Sequence, residues 1–199
     1  MPDLQETLDV RGRLLEGAAR LLDEEGPDSL TARRLATEAM TSTMAVYTHF
    51  GGMQALVREI VVEGFRRLGE RVTRQPLTED SVADLFEMAF AYRDYARTNP
   101  HLYSVMFGAT SLGGYSLAPE EREVGRYTFE VLAGEVARAM EAGRVRRSDP
   151  GVVAEQLWSA LHGFVMLETA GLHPVSKHPA EDVLRPLLET LLIGLSRPV

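Results

Sequence analysis

The residues best suited to recognition chemistry lie in one stretch, Leu30 to Phe50, LTARRLATEAMTSTMAVYTHF. Its outward candidates are Thr31, Arg33, Arg34, Ser42, Thr43, Met44, Tyr47, Thr48 and His49. Guanidinium groups, hydroxyls and an imidazole at these positions match phosphate oxygens and the polar edges of bases. That combination suits a short helix lying in a groove of double-stranded DNA.

Two short helices and a tight turn must position these groups. The first is expected from about Thr31 to Ala39 and the second from about Thr43 to Phe50. Thr31 and Ser42 stand where a hydroxyl can accept the free N–H groups of a first helical turn. Leu35, Ala36 and Ala39 give the first helix an apolar face, and Val46 and Phe50 do the same for the second. Small Ala36 and Ala39 let the two helices cross closely. Upstream, Leu14, Leu15, Ala18, Ala19, Leu21 and Leu22 predict a helix from about Val10 to Glu25, stopped by Gly26 and Pro27. Asp3 and Arg11 are expected to be frayed or solvated.

This region resembles the DNA-binding motif of the TetR family of bacterial repressors. The matching residues are Arg13, Ala18–Ala19, Leu21–Leu22, Gly26, Leu30–Thr31, Leu35–Ala36, Ala39, Ser42, Tyr47, His49–Phe50 and Leu56, covering about the first quarter of the chain. The resemblance implies a three-helix head in which Ser42, Tyr47 and His49 hold phosphates, while Arg33, Thr43 and Met44 lie nearer base edges. Two positions depart from the family pattern. Met40 stands in the turn where Gly is usual, and Gly51-Gly52-Met53-Gln54 lacks the Lys that usually follows the second helix. Backbone N–H groups at the start of the next helix can still hold a phosphate.

Composition limits the alternatives. A chain of 199 residues with 45% hydrophobic content holds one domain or two small ones. No apolar run reaches membrane-spanning length, and MPDLQETLDVRGR has no apolar segment of a signal peptide, so a cytoplasmic protein is expected. The absence of cysteine excludes disulfides and thiolate zinc sites. The net charge of −8 is unusual for a DNA binder. Its distribution accommodates one: Glu38 is the only acid between Thr31 and Arg58, while Asp23, Glu24, Glu25 and Asp28 precede the motif.

The rest of the chain reads as helices. A fourth is expected from about Met53 to Val72, with Leu56, Val57, Ile60, Val61, Phe65 and Leu68 on one side. The segment from Gln75 to Thr78 is the expected boundary on composition, because Pro76 cannot continue a helix. Further helices are expected at about Ser81–Thr98, His101–Phe107, Pro119–Ala142, Pro150–Ala170 and from Asp182 to Leu195, with loops at Gly108–Ala118 and His173–Pro179. The fold class is all-α with about nine helices. The expected division is a DNA-binding head at 1–52, a connecting helix at 53–75 and a ligand-binding and dimerisation body at 76–199. Helices 150–170 and 182–195 carry more apolar residues than one face needs, which points to a homodimer through a four-helix interface, or to a denser core within one subunit.

The body also holds Met88, Tyr92, Tyr103, Met106, Phe107, Phe129, Trp158, His162 and Met166. Aromatic rings with one polar tip and adaptable thioethers suit a mostly apolar small-molecule effector, and equally an ordinary core. The segments WSALHG (158–163) and AYRDYARTNPHLYSVMFG resemble the Trp-His-Gly subtype of TetR-like C-terminal domains; no particular ligand is implied. Histidines at 49, 101, 162, 173 and 178 have no zinc-type i, i+4 pairing, and no cofactor motif is present. Ser159 and His162 are ordinary i, i+3 neighbours without an orienting acid, and no enzyme is expected. The reading is a ligand-responsive transcriptional regulator, most simply a repressor released from a palindromic operator. The alternative is a helical small-molecule-binding or interaction protein that has lost DNA binding.

Overall fold

A computed structural model describes residues 4–74, 76–107, 119–172 and 175–196. Asp3, Gln75, the expected loop Gly108–Ala118, and His173 with Pro174 lie outside the described residues. Among the described residues the chain is all helical: α1 (Leu4–Glu25), α2 (Ala32–Glu38), α3 (Thr43–Phe50), α4 (Met53–Val72), α5 (Ser81–Thr98), α6 (Pro100–Met106), α7 (Pro119–Glu141), α8 (Pro150–Thr169) and α9 (Arg185–Ser196). None is long and apolar enough to cross a membrane.

These helices form two compact units. One comprises 1–67 and 99–124, the other 68–98 and 125–199, and the border falls inside α4. In the first, Leu14, Leu21 and Leu22 of α1 are buried together with Leu35 of α2, Val46 of α3, Leu56 of α4 and Leu102 of α6. Gly64 lets α6 approach the bare backbone of α4: a Cβ there would stand 2.6 Å from the Met106 sulfur. Asp23 of α1 accepts the Leu102 N–H at the start of α6, and burial pushes its carboxyl above the ordinary range. Arg11 was expected to be frayed or solvated, yet it lies well inside α1, which begins at Leu4. Its guanidinium sits 5.3 Å from the Phe50 ring centre and pairs with Glu59 at 2.9 Å. Cation–π and charge attraction hold it there.

In the second unit, Leu85 of α5, Val136 and Met140 of α7, Val153 and Leu157 of α8, and Leu192 of α9 share a core. Arg93 of α5 grips Glu168 of α8 through two bonds of 2.8 and 2.6 Å, with both side chains largely buried. Asp149 caps α8 through the N–H groups of Gly151 and Val152. Asp182, where the last helix is expected to begin, does not cap it. Its carboxylate accepts the Ser176 hydroxyl at 2.8 Å, and a π-helical turn over Ala180–Leu184 leads into α9. Pro186 gives the physical reason: its ring conflicts with the carbonyl four residues back in an α-helix, and a wider turn relieves that conflict.

The one non-glycine residue with positive φ among the described residues is Met40, at φ 50 in the α2–α3 turn. Left-handed backbone costs an L-residue about 1–2 kcal/mol, against about 0.5–1 kcal/mol for the extra freedom that glycine loses on folding. Met40→Gly is therefore expected to stabilise the chain by about 0.5–1 kcal/mol. An unchanged or lowered urea midpoint would show that the turn is not strained.

Candidate nucleic-acid interface

The head is built so that α3 shows one face to solvent. Thr31 caps α2 by accepting the Arg34 N–H, and Ser42 caps α3 by accepting the Ala45 N–H, each at 3.3 Å. Gly51 closes α3 in the left-handed conformation (φ 78), its N–H bonding the Tyr47 carbonyl. Arg13 of α1 donates from Nε to the Ala39 carbonyl at 3.2 Å, tying down the end of α2. Val46 is the fully buried residue of α3.

The opposite face carries Thr43, Met44, Tyr47 and Thr48, all exposed, with His49 half-buried beside them. Thr31, Arg33, Arg34 and Ser42 are exposed as well. All nine expected contact residues therefore belong to the first unit, and eight of them are exposed. Their chemistry differs from position to position. Arg34 pairs with Glu25 at 2.5 Å, which offsets part of its charge. The Thr48 hydroxyl donates to the Met44 carbonyl at 3.0 Å. Met40, absent from the expected set, is 82% exposed just ahead of α3. Its signal in the sequence is the departure from glycine in the turn. A groove of about 400 Å³ is lined by Leu30 and Thr31 ahead of α2 and by Met53 and Val57 of α4, among others. It contains none of the expected effector-binding residues.

The expected effector-binding residues divide between the units. Tyr103, Met106 and Phe107 belong to the first, where Tyr103 and Met106 are buried and Phe107 meets Phe65 edge-on at 5.3 Å. Met88, Tyr92, Phe129, Trp158, His162 and Met166 belong to the second. There the Trp158 indole N–H donates to the Tyr92 oxygen at 3.3 Å, and the Tyr92 oxygen lies 3.1 Å from His162 Nδ1. A neutral imidazole can accept the tyrosine proton at Nδ1 while carrying its own on Nε2. Burial lowers the His162 pKa and favours this neutral form. Phe129 meets Trp158 nearly edge-on at 6.4 Å. Among the described residues no group of acidic and imidazole side chains could hold a metal ion.

Comparison with known proteins bears on both units. A family model described as "Bacterial regulatory proteins, tetR family" matches residues 14–60. Another, "Tetracyclin repressor-like, C-terminal domain", matches 85–191, more than half of the chain. The chain belongs to the TetR family. An uncharacterised HTH-type transcriptional regulator of Mycobacterium tuberculosis, Rv0681, is 34% identical over 94% of this chain and 82% of its own length. The TetR family regulator PfmR of Thermus thermophilus superposes with TM-score 0.67 at 26% identity, covering 93% of this chain and all of that one. A Rhodococcus protein of unknown function reaches TM-score 0.81 at 27% identity over 94% and 96% of the two chains. Membership in TetR makes this chain a DNA-binding transcriptional regulator, not an enzyme. TetR regulators bind DNA and act as dimers.

The half-buried His162 gives the TetR body a pH signature. An unfolded histidine binds its proton near pH 6.5, whereas folded His162 resists it until the pH is lower. Its contribution to stability is whole above 6.5 and is lost as the pH falls through its depressed folded value. His162→Gln is expected to flatten the fall in stability on the acid side of 6.5, measured by urea unfolding across a pH series. An unchanged slope would place the pH dependence elsewhere.

Proposed function

We propose that this chain is a cytoplasmic, ligand-responsive repressor that binds a palindromic operator as a homodimer and leaves it when a small, mostly apolar effector binds the body. The outward face of α3 carries the reading. It is capped at both ends, and it presents Thr43, Met44, Tyr47 and Thr48 from one side of a helix whose other side is buried. Ser42, Tyr47 and His49 hold phosphates. Thr43, Met44 and Arg33 approach base edges, with Thr31, Arg34 and Thr48 flanking them. Head, connecting helix and body take the functional divisions 1–52, 53–75 and 76–199.

The dimer reading is supported by apolar side chains that α8 and α9 leave exposed, Val152, Leu167 and Ile193, beside exposed Gly163 and Gly194. A second copy covers such faces by forming a four-helix interface over helices 150–170 and 182–195. The effector site uses the cluster of Tyr92, Trp158 and His162 with Met88, Phe129 and Met166, whose rings and thioethers suit an apolar ligand held by few hydrogen bonds. α4 contributes residues to both units, and so it is the element through which ligand and operator binding are coupled. A coupling of about 1–3 kcal/mol changes operator affinity by several-fold to about 100-fold.

Selection of bound sequences from a random DNA pool, at stated salt, tests this function. The expected winner is a pseudo-palindrome bound by one dimer, with half-sites about 34–36 Å apart or at a related spacing. Tyr47→Phe combined with His49→Ala is expected to weaken binding to the winner, and unchanged affinity would overturn the phosphate assignment. No enrichment by a folded, dimeric protein would favour a ligand-binding protein that has lost DNA binding.

A further inference from the structure

Side chains tell base pairs apart in the major groove by two kinds of contact. One is a hydrogen bond, bidentate from Arg, Lys, Asn or Gln, or single from Asp, Glu, Ser or Thr. The other is apolar contact with the 5-methyl group of thymine. From Thr43 to Phe50, α3 reads TMAVYTHF, which holds no group able to make a bidentate bond to a base; its first-turn hydroxyl is that of exposed Thr43. Two of the neighbouring hydroxyls are engaged locally: Ser42 accepts the Ala45 N–H, and Thr48 donates to the Met44 carbonyl. The cations of the motif, Arg33 and Arg34, stand on α2, and Arg34 pairs with Glu25.

Beside Thr43, what the start of α3 offers outward is apolar. Met44, in the first turn, is 67% exposed, and Met40 precedes it at 82%. The first turn of a helix in this motif is the part that meets base edges. Met40 adds an independent observation. A side chain so exposed contributes almost nothing to the core, yet it occupies a left-handed position where glycine would be unstrained. Strained, exposed apolar residues next to a recognition element are accounted for by contact with a partner.

We propose that this regulator selects its operator in part through thymine methyl groups, packed against Met40 and Met44 in the major groove. The inference rests on the DNA-reading function above and specifies what that function reads. The unbranched, polarisable thioether fits itself to a methyl group whose exact height depends on local DNA geometry.

The test replaces single thymines of the selected operator by deoxyuridine, which lacks only the 5-methyl group. Affinity is measured for the full-length protein and for its Met44→Ala and Met40→Gly variants. At a subset of positions in each half-site, deoxyuridine is expected to weaken wild-type binding about four-fold per methyl removed. That ratio should hold as salt is raised, because methyl contact releases no counterion, while overall affinity falls. In the variant lacking the responsible methionine the ratio should collapse to one. The proposal is overturned if every deoxyuridine operator binds the wild type as tightly as the thymine operator, or if the loss persists in both variants. Failure to select any operator is a different result, which overturns the DNA-reading function and this inference together.

Discussion

An eight-residue helix does not hold itself together in water, since isolated helices shorter than about 12 residues are marginal. α3 is that short, and Val46 is its fully buried side chain. Burying that valine contributes about 1.5–3 kcal/mol, and each helix cap adds about 1 kcal/mol. The remainder comes from neighbours. α1 and α2 form the surface on which Val46 rests, Arg13 secures the end of α2, and Arg11 sits over Phe50 at the end of α3. The outward face can be given to recognition because so much of the head is devoted to holding the inward one.

The second unit meets a related demand with polar chemistry. α5 and α8 are joined by the Arg93–Glu168 pair and by the Trp158–Tyr92–His162 chain of hydrogen bonds. Buried polar groups of this kind stabilise only when their partners are in place; with one member lost, the others are left desolvated. Such a cluster responds sharply to anything that competes for its members. An entering ligand that takes the Tyr92 hydroxyl or the His162 ring must also satisfy what it displaces. The same neutral imidazole contributes to the pH dependence of this unit's stability.

Much of this was legible in the sequence because it depends on near neighbours. The caps at Thr31 and Ser42, the stop at Gly26 and the caps and breaks around α5 and α8 are local signals, and the helices follow from them. The resemblance at Arg13, Ser42, Tyr47 and His49–Phe50 led to the family. What local pattern could not show depends on partners distant along the chain. Arg11 reads as a solvated cation until Phe50 and Glu59 come beside it. A heptapeptide such as α6 does not disclose that its Met106 seats on Gly64, so Tyr103, Met106 and Phe107 read together with Trp158 and His162 although they belong to another unit. The π-helical turn ahead of α9 has no sequence signature beyond Pro186 itself. Met40 was visible as a departure from family pattern, but its left-handed conformation and exposure required the fold.

The central claim is that the face of α3 bearing Met44, with Met40 before it, lies against DNA. Hydroxyl-radical footprinting read by mass spectrometry tests it directly, because both methionines are exposed in the free protein and thioethers oxidise readily. With a saturating selected operator, Met40 and Met44 should become strongly protected, while exposed residues of the second unit such as Tyr127 and Leu172 keep the reactivity they show in the same protein without DNA. Equal oxidation of Met40 and Met44 with and without bound operator would contradict the account.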